Sequence, residues 1–245
     1  MIGVGGESDV EVVRIDEVTI GDATRKGWTM VVAGEHDMGA PVGVILGEDF
    51  FSNVDVEFDI EHNVVRLFEP KGCGDRSLAY WATEGAGEVA TDRVYHLHPQ
   101  ILISVHINGQ PVKAKLDSGA AVSTLHKPFA AKLGLTPGAP GVAEAGRIRG
   151  LGKEEMQSWV GPLDTFVIGD ERIRSASIVF TDLGIQAEML LGVDFIRADR
   201  MLIAHSQRKI YFTHSTGPVF QLNRAQEARS DPTPDASPVS QPATN

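Results

Sequence analysis

Apolar and polar residues alternate through residues 101–107 (ILISVHI), the period of a strand with one buried face. Asn108-Gly109 follows, a pair that supplies positive φ cheaply and marks a tight hairpin, and residues 112–116 read as the return strand. Residues 121–133 can hold a short helix stopped by Gly134. Short apolar-rich runs at 159–168, 175–181 and 189–191 read as further strands. Residues 194–200 read as a short helix and 209–213 as a last strand. Short strands with frequent turn signals predict a small closed or sandwiched β-fold.

The pattern repeats at long range. Ile45-Leu46-Gly47-Glu48-Asp49-Phe50 matches Leu190-Leu191-Gly192-Val193-Asp194-Phe195 at an offset of 145 residues. Gly3-Val4-Gly5 matches Gly150-Leu151-Gly152 at 147, Ile20-Gly21-Asp22 matches Ile168-Gly169-Asp170 at 148, and Arg66-Leu67-Phe68 matches Ile210-Tyr211-Phe212 at 144. Four blocks in one order, with offsets differing by a few residues, indicate a duplicated unit with small loop insertions. The second copy runs over 98–214, whereas the copy at 1–70 begins at the equivalent of about residue 148. A connector, 71–97, lies between them, and its apolar patch Leu78-Ala79-Tyr80-Trp81 is expected to clasp a neighbouring domain. Residues 223–245 are rich in Pro, Ser and Ala without an apolar period and are expected to form a disordered tail.

Composition narrows the function. Apolar residues make up 42% of the 245, enough to build a core, and 33 acids against 22 bases give a net charge of -11. Nucleic-acid backbone binding needs a basic stripe, so that class is disfavoured, as are anionic membrane surfaces. No apolar run approaches the ~20 residues that span a bilayer. The N-terminal residues lack the basic and apolar regions of a signal peptide, so none is expected. Cys73 is the only cysteine, which excludes an intramolecular disulfide and a cysteine-rich zinc site. His96 and His98 are close in sequence but have no convincing third ligand nearby, so no metal site is expected.

The candidate chemistry lies at the end of the hairpin's return strand, Lys115-Leu116-Asp117-Ser118-Gly119-Ala120. An Asp at a strand end followed by a hydroxyl residue and glycine suits a carboxylate-dependent hydrolase. Glycine lets N–H groups approach the carboxylate, and the hydroxyl can fix the loop. These three residues alone are also an ordinary turn. Over 98–214, however, ILISVHINGQPVKAKLDSGAAVSTL, then Ile148-Arg149-Gly150-Leu151-Gly152, then Leu190-Leu191-Gly192-Val193-Asp194-Phe195 together resemble the retropepsin-like aspartic proteases.

That resemblance implies a mainly β fold, a retropepsin-like acid-protease β-barrel, with one complete copy and a C-terminal half-copy. It implies Asp117, Ser118 and Gly119 as the catalytic loop, and Arg149, Gly150, Leu151 and Gly152 as an exposed, mobile flap over a polypeptide substrate. In this family two Asp loops meet across a two-fold axis, share one proton around a water, and need no metal or organic cofactor. The counterpart of Asp117 in the partial copy would lie about thirty residues before Met1. The second carboxylate is therefore expected from another molecule's Asp117 in a homodimer, or from an intramolecular pseudo-dimer in a longer parent chain. A non-catalytic peptide-binding or dimerisation module on the same fold is the alternative, since fold does not fix function. Asp49 and Asp194 are expected as helix N-caps rather than second catalytic acids. Asp164-Thr165-Phe166 is rejected as catalytic, because Phe in the glycine position blocks close backbone approach.

Overall fold

The computed structural model describes residues 2–3, 6–7, 9–20, 23–32, 43–92, 100–150, 154–184 and 187–220. Leu151 and Gly152 of the flap, the His96–His98 pair and the expected tail at 223–245 lie outside the described residues. In chain order the elements are β1 (Ile2–Gly3), β2 (Gly6–Glu7), β3 (Glu11–Ile20), β4 (Ala23–Val32), α1 (Glu48–Phe51), β5 (Asp55–Asp59) and β6 (Val64–Phe68). Then come β7 (Gly87–Ala90), β8 (Leu102–Ile107), β9 (Gln110–Leu116), β10 (Thr124–His126), α2 (Lys127–Lys132), β11 (Ala143–Arg149) and β12 (Glu155–Ile168). The series ends with β13 (Glu171–Thr181), β14 (Met189–Leu191), α3 (Val193–Ala198), β15 (Asp199–Ala204) and β16 (Lys209–His214).

The fold is mainly β. Strands β12-β13-β10-β14-β9-β8 run side by side, and β8 returns to pair with β12, which closes a six-stranded barrel; β11 extends it outward. The β8–β9 hairpin turns where expected: Asn108 and Gly109 both take positive φ, 49° and 79°. Asn108 also ties this turn to the barrel, since its Oδ1 accepts the N–H groups of Asp164 and Thr165 at 3.0 Å each. The Asp164-Thr165-Phe166 stretch is thus mid-strand in β12, with Phe166 fully buried. Alternation along β8 and β9 sends Ile103, Val105, Ile107, Val112 and Ala114 into one core.

Three elements differ from expectation. The helix expected over 121–133 is split: its front half is the loop and strand β10, and only Lys127–Lys132 is helical. Its stop is as expected, with Gly134 at φ 79°. The helix expected over 194–200 ends at Ala198, because residues 199–204 form β15, an almost continuously buried strand without alternation to announce it. The connector, too, contains a strand, β7, paired with β16.

A second sheet has the order β6-β5-β15-β16-β7, so its strands come from both sides of the connector. β5 and β15 pair antiparallel, Phe58 opposite Met201 and Glu57 opposite Leu202. The series β3-β4-α1-β5-β6 parallels β12-β13-β14-α3-β15-β16, which differs in having the short strand β14 before its helix. The backbone matches at equivalent points: Gly47 before α1 has φ −98° and ψ −172°, and Gly192 before α3 has −97° and −167°. The tight turns after β5 and β15 use Asn63 at φ 56° and Arg208 at φ 54°. Across this sheet the connector forms a clasp. Ala79 packs with Leu202, Ala204 and Tyr211, joined by Leu78 and Trp81, and Trp81 Nε1–H donates to Thr213 Oγ1 at 2.9 Å.

Candidate active site

Asp117 is the first residue after β9, and the barrel fixes its backbone from two sides. β9 lies between β8 and β14, with Leu116 opposite Leu191. Asp117 N–H continues that ladder by donating to the Leu191 carbonyl at 2.9 Å. The chain then turns sharply: Gly119 N–H donates to Asp117 Oδ1 at 2.9 Å, and Ala120 N–H donates to the Asp117 carbonyl at 3.1 Å. This is an Asx-type turn, in which the carboxylate organises its own loop. A Cβ at Gly119 would sit 3.1 Å from Asp117 Oδ1, so glycine leaves that oxygen room. Asp117 keeps 31% of its side chain exposed, so one carboxylate is both held and reachable.

The loop is braced from below by the segment that opens α3. Gly192 N–H donates to Ser123 Oγ at 2.9 Å, and Ser123 donates through Oγ–H and N–H to Asp194 Oδ1, at 2.6 and 2.8 Å. Val193 N–H donates to the Ala120 carbonyl at 2.8 Å. A Cβ on Gly192 would lie 2.6 Å from the Ala120 oxygen and 2.8 Å from the Val122 carbonyl carbon, so the two loops approach more closely than any side chain allows. Burial raises the pKa of Asp194, and the hydrogen bonds from Ser123 and Phe195 oppose that rise.

The N-cap expectation for Asp194 is therefore corrected. Gly192 caps α3, and Asp194, two residues later, holds Ser123 in the segment that follows the Asp117 loop. Asp49 likewise caps nothing, since Gly47 precedes α1 and no side chain bonds there. Ser123 was not anticipated. Its only signal in sequence was a small hydroxyl residue within the small-residue stretch after Asp117.

Of the loop residues, Ser118 and Gly119 are exposed. Among the described residues Ser118 Oγ has no hydrogen-bond partner, so the hydroxyl that braces this loop belongs to Ser123. Lys115 Nζ, also unanticipated, stands 3.8 Å from Asp117 Oδ2. Of the flap residues, Arg149 and Gly150 are described and exposed at the end of the β11–β12 hairpin. That hairpin closes with Arg149 opposite Glu155, their side chains 2.7 Å apart. Among the described residues no group of three His, Cys, Asp or Glu is placed to hold a metal ion, and no helix is long and apolar enough to cross a membrane.

Residues 103–195 match the model of the family described as aspartyl protease. The match takes in the hairpin, the Asp117 loop, the β11–β12 hairpin and the start of α3. Over this segment the chain is similar to the aspartyl proteases that the family model describes. Among solved structures, a retropepsin-like aspartic protease from Rickettsia conorii is similar at 19% identity and TM-score 0.39, covering 53% of this chain and 91% of that one. The EIAV protease complexed with the inhibitor HBY-793 is similar at 22% identity and TM-score 0.35, covering 43% and 92%. The retroviral protease-like domain of Ddi1 from Leishmania major gives 18% and 0.31, covering 48% and 94%. No curated protein matches.

Proposed function

We propose that the protein is an aspartic endopeptidase in which Asp117 supplies one carboxylate of a dyad. The observation that carries the reading is the loop itself: a half-buried but reachable carboxylate whose one oxygen is held by Gly119 N–H, within a segment that matches the aspartyl protease family model. In this chemistry the ionised carboxylate takes a proton from a water whose oxygen attacks the peptide carbonyl carbon. The protonated carboxylate hydrogen-bonds the carbonyl oxygen as charge develops. The tetrahedral intermediate then loses its C–N bond, and the departing nitrogen takes up a proton. An extended peptide suits a cleft edged by a β-hairpin such as β11–β12, whose backbone can pair with it.

The chain also reads as two units, 1–70 and 98–214, joined by the connector 71–97 and arranged as an intramolecular pseudo-dimer. An offset of 144 residues carries the pair Phe58–Met201 into Leu202–Glu57, which is itself a pair in the same ladder. The β5–β15 contact is therefore self-complementary, as a two-fold interface is. β15 lies between β5 and β16, and β16 between β15 and β7, so the first unit and connector occupy both flanks of that strand pair. This favours the pseudo-dimer over a homodimer joined through the same sheet.

The reading is tested with a peptide carrying a non-cleavable hydroxyl-bearing isostere, which mimics the tetrahedral intermediate. Such mimics bind at least about 100-fold tighter than substrates when the dyad is formed. The expected result is calorimetric binding that weakens by roughly tenfold or more in Asp117→Asn. Equal binding to both proteins would overturn the assignment.

A further inference from the structure

A lysine stands beside the Asp117 carboxylate. Along β9, Ala114 and Leu116 enter the barrel core, so Lys113 and Lys115 share the opposite face, on which Asp117 follows them. Lys113 Nζ contacts both oxygens of Asp92, at 2.9 and 2.7 Å, and Lys113 N–H donates to Glu188 Oε2 at 2.7 Å. Both of those acids are therefore turned to Lys113. Lys115 Nζ lies 3.8 Å from Asp117 Oδ2, an ion pair too long for a hydrogen bond. Among the described residues it has no second carboxylate and no hydrogen-bond acceptor in reach, so the three donors of its ammonium are unused.

The strands beside Lys115 supply an apolar floor and no counter-charge. In-register partners carry the row from Lys115 to Leu190 on β14, to Thr124 on β10 and to Val179 on β13. The alternate positions Leu125, Phe180, Met189 and Leu191 belong to the barrel core, so this row lies on the outer face of the sheet. Leu190 and Val179 are apolar, and the Thr124 hydroxyl is turned back onto the Val122 carbonyl at 3.1 Å. The row is thus apolar except at the end next to Asp117, where the half-buried Lys115 ammonium stands.

We propose that Lys115 determines substrate charge: it selects polypeptides with an acidic side chain, Glu or Asp, at a residue flanking the bond to be cut. The inference rests on the protease reading above and deepens it. The scissile carbonyl must come within about 3.5 Å of a water held on Asp117, and Lys115 Nζ is paired with that same carboxylate. The side chain of a flanking residue therefore reaches the ammonium, with its methylenes over Leu190. A carboxylate there supplies the missing acceptor as a charge-assisted hydrogen bond, a neutral amide accepts more weakly, and a lysine meets like charge. Lys115 is partly withdrawn from water, so salt screens this contact less than it screens a fully exposed pair.

The experiment uses peptide sets with a central hydroxyl-bearing isostere, mixed residues elsewhere, and Glu, Gln or Lys fixed on one side of the isostere or the other. Retention on the immobilised full chain is read by mass spectrometry for the parent, Lys115→Arg, Lys115→Met and Lys115→Glu, each checked for folding by thermal melts. The parent should retain Glu over Gln by roughly tenfold or more on one side of the isostere, with Lys retained least. Lys115→Arg should keep that preference, Lys115→Met should make the Glu and Gln sets equal, and Lys115→Glu should favour Lys over Glu. Equal retention of Glu and Gln by the parent on both sides overturns the inference. So does a Glu preference that survives in folded Lys115→Met or Lys115→Glu, and so does retention of none of the sets. Cleavage of matched cleavable peptides, beside Asp117→Asn, is scored separately. Glu-selective retention without Asp117-dependent cleavage keeps Lys115 as the selecting residue and removes the protease reading, whereas Asp117-dependent cleavage without charge preference does the reverse.

Discussion

At the scale of single residues, the site depends on contacts that tolerate no added atom. Gly192→Ala forces a Cβ against the Ala120 oxygen and the Val122 carbonyl carbon, both backbone atoms that cannot swing aside. Overpacking of this kind costs about 1–3 kcal/mol. Because the strained contact is with the Asp117 loop, turnover should fall further than the loss of folded protein explains, which thermal melts beside kcat measurements check. Asp199 makes a different prediction. Burial, then the neighbouring Glu171, raises its pKa from 3.8 to about 8, and its Oδ2 has no hydrogen-bond partner among the described residues. Glu48 is raised to about 7 by burial and then by Asp49. The folded protein thus holds protons that the unfolded chain releases, so stability is fullest below about pH 4 for these groups and declines as pH rises through 7 to 8. Asp199→Asn should flatten the decline in melting temperature between pH 5 and 9, recovering on the order of a few kcal/mol at the alkaline end. A variant with the same pH slope as the parent would contradict that.

At the scale of elements, two joints organise the molecule. One is the β5–β15 contact, where fully buried Glu57 accepts from Arg66 Nη1 at 2.8 Å, from Arg200 Nε at 2.9 Å and from the Tyr80 hydroxyl at 2.6 Å. Arg200 also lies over the Trp81 ring at 4.7 Å, so β5, β15 and the connector share one cation. Arg200→Met leaves the buried Glu57 short of a counter-charge and should cost about 3 kcal/mol. Adding Glu57→Gln should restore part of that loss in chemical denaturation. The other joint is the β11–β12 hairpin. Gly150 follows its last described pair and is exposed, so Gly150→Pro should reduce turnover more than stability. Equal losses in melting and activity would mark the hairpin as structural support only.

The elements also show where sequence was informative. The β8–β9 hairpin, the Asp117 loop and β14 were legible because alternation, the Asn108-Gly109 pair and glycine placement are local signals. β15 was not, since a strand buried on both faces has no alternation. β7 was hidden in a connector rich in glycine and charge. The roles of Ser123 and Asp194 were out of reach for another reason: they meet across 71 residues, and only the fold brings them together.

For the whole molecule, one barrel carries the Asp117 loop, and β5 and β6 from ahead of the connector join the sheet of β15, β16 and β7 beside it. The candidate site is organised around an accessible carboxylate. The central claim is that Asp117 hydrolyses peptide bonds, and cleavage itself tests it most directly. A mixed library of extended peptides, incubated with the full chain at acidic and neutral pH over a range of protein concentrations, is read by mass spectrometry beside Asp117→Asn. The account predicts new termini from the parent chain, their loss in Asp117→Asn by a factor of roughly 1,000 or more, and matching thermal melts for the two proteins. Cleavage that persists unchanged in Asp117→Asn would contradict it.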